Sequence, residues 1–167
     1  MTILKFMLLI FIAFVTAYIG FLKAADYEVR CLDLKLFQNA LIVFKSEIEF
    51  THEPIKNIFE SISHIIYQDK DNVFINTNIQ NDSLYKSWSK AVDMTRKGFN
   101  NEDIKIIKSF GKLLGKTDIK GQINEIELTL KLIEKQIENA ENEKEKNSKL
   151  YKTLGITCGI GICIILI

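Results

Sequence analysis

The 167-residue chain has 47% hydrophobic and 26% charged residues and a formal net charge of +1, room for one ordinary domain with short appendages. All 21 acidic residues, and all but one of the 22 basic ones, lie between Lys23 and Lys152. That stretch has a formal net charge of zero, which speaks against the strongly basic surface that nucleic acid demands and leaves room only for a local basic patch. Cys31, Cys158 and Cys163 form neither a disulfide framework nor a zinc ligand set, and the last two lie in an apolar run where they act as small hydrophobes.

Residues 6–22 carry no charge and come close to the length that crosses a hydrocarbon core of about 30 Å. Ile3 and Leu4 extend the run if Lys5 snorkels. A cleaved signal peptide competes with this reading, and Val15 and Ala17 offer a weak cleavage pattern. The apolar run passes that point and continues to Leu22, which favours an uncleaved transmembrane segment over residues 1–23.

A helix then carries Leu34, Phe37, Leu41, Phe44 and Ile48 at three- and four-residue steps, running on from the first span. Pro54 opens a second helix, where its missing N–H costs nothing. Its expected apolar face is Ile55, Ile58, Phe59, Ile62, Ile65 and Ile66. Residues 73–81 fit a strand or a short helix equally. Asp82 or Ser83 caps the next helix, with Leu84, Trp88, Ala91 and Val92 inward. Asn101 is expected to cap a helix carrying Ile104, Ile107, Phe110 and Leu114, which Gly115 ends in the left-handed conformation.

Asp118 caps the longest helix, with Ile119, Ile123, Ile126, Leu130, Ile133, Ile137 and Ala140 on one face. Glu127–Lys131 and Glu145–Lys149 sit at favourable four-residue spacing on the exposed side. A coiled-coil dimer also fits this stripe, though a bundle core is the simpler explanation. From Glu141 to Lys149 the register turns polar, and the helix is expected to continue into the uncharged residues 153–167. The latter are read as a second transmembrane segment over residues 151–167, with Tyr151 and Lys152 at the interface. Ala13 and Ala17 in one span, and Gly155 and Gly159 in the other, give small faces for close approach.

The expected fold class is therefore all-α: a helical bundle of about six helices over residues 24–150, flanked by transmembrane helices. Lysines and arginines cluster on the bundle side of both spans, which predicts a cytoplasmic bundle and chain termini across the membrane.

No catalytic constellation emerges. Residues 111–117 (GKLLGKT) approach a phosphate-binding loop, but Phe110 stands where the first glycine belongs, and an amphipathic helix precedes it in place of a buried strand. His52 and His64 lack ligand partners at metal spacing, and Ser61, Ser63 and His64 are too local for a triad. We expect no catalytic residue, metal or cofactor, hence no enzyme, no small-molecule substrate and no nucleic-acid partner. A two-span receptor with a helical ligand-binding domain is the rival from another class, though no output domain accompanies it.

Several residues together resemble the stage III sporulation protein AB family. They are the turn Phe110-Gly111-x-x-Leu114-Gly115-x-x-Asp118, Thr51-His52-x-Pro54, Trp88-x-Lys90, Leu128-Thr129-Leu130 and Leu154-Gly155. The resemblance implies a bundle like the inner-membrane platform domains of type II secretion and type IV pilus machines. It further implies a place in the mother-cell membrane around the forespore, within a secretion-like sporulation channel. The implied partners are the other membrane channel components and a cytoplasmic assembly ATPase, stage III sporulation protein AA. The turn residues Phe110, Gly111, Leu114, Gly115 and Asp118 are then structural or partner-facing.

Overall fold

The computed structural model describes residues 2–51, 53–68, 70–77, 83–95, 98–112 and 114–166, with side chains over 7–165 within those ranges. Every regular element among them is helical: α1 (Thr2–Phe50), α2 (Ile55–Tyr67), α3 (Val73–Asn76), α4 (Leu84–Met94), α5 (Asn101–Phe110), α6 (Ile119–Glu143) and α7 (Lys149–Leu166). A π-helical turn, Lys144–Ser148, separates α6 from α7. The chain forms two compact units, one of Met1–Cys31 with Asn139–Ile167, the other of Leu32–Glu138.

The Leu32–Glu138 unit is built around the stripe of α1. Leu34, Phe37, Leu41 and Phe44 are wholly buried, and Ile48 nearly so. Their rings meet Phe59 of α2, Phe74 of α3, Trp88 of α4 and Phe110 of α5 in one aromatic cluster, with centroids 5.3–6.5 Å apart. Edge-on and tilted pairs predominate, as ring quadrupoles favour. Trp88 is anchored further by its indole Nε1–H, which donates to the Ile107 carbonyl at 2.7 Å.

Several sequence expectations shift by a position. Pro54 is the N-cap of α2 and not its first helical residue. Ile65 is exposed, while Ser63 is buried and accepts from Asn72 Nδ2 at 2.9 Å. The buried face of α2 is thus turned toward the Ser63 flank and away from Ile65, two residues or about 200° round the helix. The ambiguous segment begins as helix α3, because Asn72 Oδ1 accepts from the Phe74 and Ile75 amides at 2.9 and 3.1 Å. Residues 78–82, including Asp82, and His52 lie outside the described residues. Ser83 is the N-cap of α4, without a side-chain capping bond. Glu127 reaches across to Lys45 Nζ at 2.6 Å, an interhelical tie that sequence spacing did not suggest. That bond holds the exposed Glu127 below the usual carboxylate range and raises Lys45 above its own.

In the other unit, α1 and α7 pack antiparallel. Cys163 Sγ approaches the Leu9 carbonyl at 3.4 Å, and the Tyr27 and Tyr151 rings stack at 6.0 Å. A Cβ placed on Gly155 would lie 2.9 Å from the Thr16 carbonyl oxygen, and one on Gly159 would lie 3.1 Å from Ala13 Cα. One on Gly20 would lie 2.6 Å from the Tyr151 carbonyl oxygen, so backbone meets backbone along this seam. At the polar end, Arg30 Nη1 donates to Glu143 at 2.7 Å, and Lys144 Nζ to Glu28 at 3.2 Å. The outward side chains are apolar: Met7, Phe11, Phe14, Tyr18, Ile160 and Ile165 are all exposed. Among the described residues, two helices are long and apolar enough to cross a membrane.

The π turn explains the seam. Ala140 and Gly159 are both buried, yet they are 19 residues apart, five α-helical turns plus one residue. The widened turn at Lys144–Ser148 absorbs that residue and brings Gly159 into line with Ala140. Oxidative cross-linking of Leu9→Cys to Cys163, with Cys31 and Cys158 replaced by alanine, reads this register. Deleting Asn147 is expected to leave the cross-link intact, because the turn relaxes to α. Inserting one alanine after Ser148 rotates α7 by about 100° and is expected to abolish it.

Candidate functional site

The turn joining α5 to α6 is the most distinctive local motif, and the structure divides its residues between two faces. α5 starts from a capping box in which Asn100 Oδ1 accepts from the Glu102 and Asp103 amides at 2.8 Å, and Asp103 returns a bond to the Asn100 amide at 2.9 Å. The cap is therefore Asn100, one residue before the expected Asn101. Asp103 supplies the reciprocal carboxylate in place of the usual glutamate.

Phe110 is wholly buried and is the last residue of α5, four residues earlier than the apolar spacing suggested. Gly111 follows as the C-cap in ordinary right-handed geometry. Its constraint is space: a Cβ there would fall on the Trp88 indole, 2.6 Å from Cγ. Leu114 folds back into the core at 4% exposure. Gly115 has φ +71°, a conformation that costs other residues roughly 1–2 kcal/mol, so it reverses the chain within the turn. Asp118 Oδ1 accepts from the Gly121 amide at 2.9 Å and starts α6 as expected. Gly115→Ala is expected to lower stability by about 1 kcal/mol in urea unfolding, through backbone conformation and a close approach to Ile55.

Phe110, Gly111 and Leu114 thus face inward and explain the turn's shape. Gly115 and Asp118 are exposed, together with Lys112, Lys116 and Lys120. The outward side therefore carries three lysines, Lys112, Lys116 and Lys120, beside one carboxylate, Asp118. A helix, α5, leads into this loop, which lacks the buried strand that phosphate binding requires. Among the described residues, no group of three or more His, Cys, Asp and Glu is placed to hold a metal ion.

Comparison with known proteins agrees with the all-helical fold. The family model described as stage III sporulation protein AB matches residues 5–167. A stage III sporulation protein AB of Bacillus subtilis (strain 168) is 26% identical over 169 residues, covering 98% of this chain and 99% of that protein. A solved structure of a stage III sporulation protein AB superposes with a TM-score of 0.63 at 22% identity, over 71% of this chain and 98% of the other. That likeness establishes a shared helical fold.

Proposed function

We propose a function from one premise: this chain belongs to the stage III sporulation protein AB family. It acts as a non-enzymatic membrane platform of a sporulation channel, mounted by α1 and α7 in the mother-cell membrane around the forespore. Its helical unit is held in the cytoplasm, where it binds an assembly ATPase of the stage III sporulation protein AA kind. The work of assembly comes from that partner's ATP hydrolysis.

The observation that carries this reading is the antiparallel α1–α7 pair with apolar residues outward. Two spans that cross in opposite directions return the intervening chain to one side of the bilayer. Lys23, Lys144, Lys146, Lys149 and Lys152 flank the spans on that same side, which by the positive-inside rule is the cytoplasm. The exposed lysines of the α5–α6 turn are the partner surface we assign to it.

The test is co-purification of the detergent-solubilised full chain with a stage III sporulation protein AA ATPase. Binding is expected, and the triple charge reversal Lys112→Glu, Lys116→Glu, Lys120→Glu should weaken it at least tenfold. Absence of binding by a folded, unaltered chain would rule out the platform reading. Equal binding by the triple variant would rule out the turn as the contact.

A further inference from the structure

Within the Leu32–Glu138 unit, a cavity of about 70 Å³ opens between α1, the α2–α3 connection and the end of α4, lined by Asp33, Tyr67, Asp71, Asn72, Thr95 and Phe99. One water needs roughly 10–15 Å³ on this measure, so the space holds a handful of heavy atoms. It is too small for a nucleotide or a drug-sized ligand.

Most polar groups in the wall are already committed. Asn72 uses Oδ1 for the Phe74 and Ile75 amides, and its Nδ2 donates to Ser63 Oγ and the Lys70 carbonyl. The Thr95 hydroxyl donates to the Ala91 carbonyl at 2.8 Å, and Asp71 Oδ1 accepts from Asn76 Nδ2 at 2.6 Å. Asp33 and the Tyr67 hydroxyl differ, since neither forms a hydrogen bond or ion pair with any other described residue.

Asp33 is held in place sterically. Its carboxylate lies over Gly98, where a Cβ would come within 2.9 Å of Cγ and closer still to an oxygen. Partial burial pushes its carboxyl above the usual range. Burial also raises the Tyr67 phenol well above its ordinary value, and the negative charge of Asp33 adds to the effect. A half-buried carboxylate that meets no counter-charge among the described residues is costly, and an arriving cation offsets part of that cost.

We propose that this cavity receives the ammonium group of a lysine side chain from a partner polypeptide. An ammonium carries three donors and no acceptor. Asp33, the second oxygen of Asp71 and the Tyr67 oxygen are three acceptors, and the rings of Tyr67 and Phe99 suit the lysine methylenes and the cation. A calcium ion wants six to eight oxygens, which the committed Asn72 and Thr95 cannot complete. The site does not depend on which protein supplies the lysine, so it stands or falls separately from the ATPase assignment.

The test uses the full chain in detergent micelles, selectively ¹⁵N-glycine labelled, with the Gly98 amide as reporter among eight glycines. Nα-acetyl-lysine methylamide is expected to shift the Gly98 resonance saturably. The isosteric, uncharged Nα-acetyl-norleucine methylamide is expected to leave it unmoved. Asp33→Asn should weaken the lysine response at least tenfold and Tyr67→Phe severalfold, while the other glycine resonances stay in place and report an intact fold. No saturable shift with the lysine probe, an equal shift with norleucine, or an undiminished response in Asp33→Asn would each overturn the proposal. So would saturation by magnesium or calcium at concentrations where the lysine probe has no effect.

Discussion

Trp88→Ala is expected to lower the stability of the helical unit by about 3–5 kcal/mol, a large share of the roughly 5–15 kcal/mol that holds a domain folded. The indole is wholly buried and touches Phe37, Phe59, Phe74 and Phe110, so four rings lose a packing surface at once. Its removal also leaves the Ile107 carbonyl without its donor. Gly111→Ala should cost about 1–3 kcal/mol alone, because its Cβ lands on an indole that the Ile107 bond prevents from yielding. The two effects are not additive. In the Trp88→Ala background the new methyl enters the space that the indole left, and Gly111→Ala should become nearly neutral. Urea unfolding of the four proteins, followed by circular dichroism, gives the coupling. Additive losses would show that Gly111 is required for some reason other than Trp88.

The second large effect belongs to the α1–α7 seam. Gly155→Leu combined with Gly159→Leu is expected to separate the helices and reduce the Leu9→Cys to Cys163 cross-link at least tenfold. At both positions the added side chain meets atoms of the facing helix that cannot rotate away: the Thr16 carbonyl oxygen at Gly155, and the Ala13 Cα and carbonyl oxygen at Gly159. Without a hydrophobic drive between helices in lipid, such close packing is most of what holds a pair together. Leucine at Ile156 and Ile160, both exposed, serves as the control and should leave the cross-link unchanged.

Periodicity revealed those features that a single element determines. The stripe from Leu34 to Ile48 reads directly as a buried face, because five positions agree with one period. The alanines and glycines of the spans gave a weaker signal, since such spacings are common by chance, and the facing helix lies against them. What stayed hidden depends on contacts between distant residues. Ile65 is apolar by type and exposed in fact, while Ser63, on the opposite flank of α2, is buried against Asn72 from the next loop. Cys31 lies outside both uncharged runs, yet it is 5% exposed and therefore a poor labelling site. The π turn is written in a run of polar residues that carries no periodic signal of its own. Only the mismatch between Ala140 and Gly159 shows that an extra residue must be absorbed.

The candidate turn was legible as a motif, whereas its division into two faces was not. At Gly111 it is Trp88, 23 positions earlier in the chain, that occupies the space a side chain would need. The exposed lysines around it became a surface only when the backbone reversed at Gly115. Asp33 gave no sequence signal. It is one acidic residue between Leu32 and Leu34, and its isolation follows from the distant loops that enclose it.

The platform reading requires above all that the helical unit face the cytoplasm, and site-directed thiol labelling measures this directly. The probe is the full chain with Cys31, Cys158 and Cys163 replaced by alanine and Lys116→Cys introduced on the exposed turn. Expressed in the plasma membrane of non-sporulating cells, it should resist a membrane-impermeant maleimide in intact cells and react once the membrane is permeabilised. Labelling in intact cells would place the unit outside, beyond the reach of a cytoplasmic ATPase, and would contradict the proposed function.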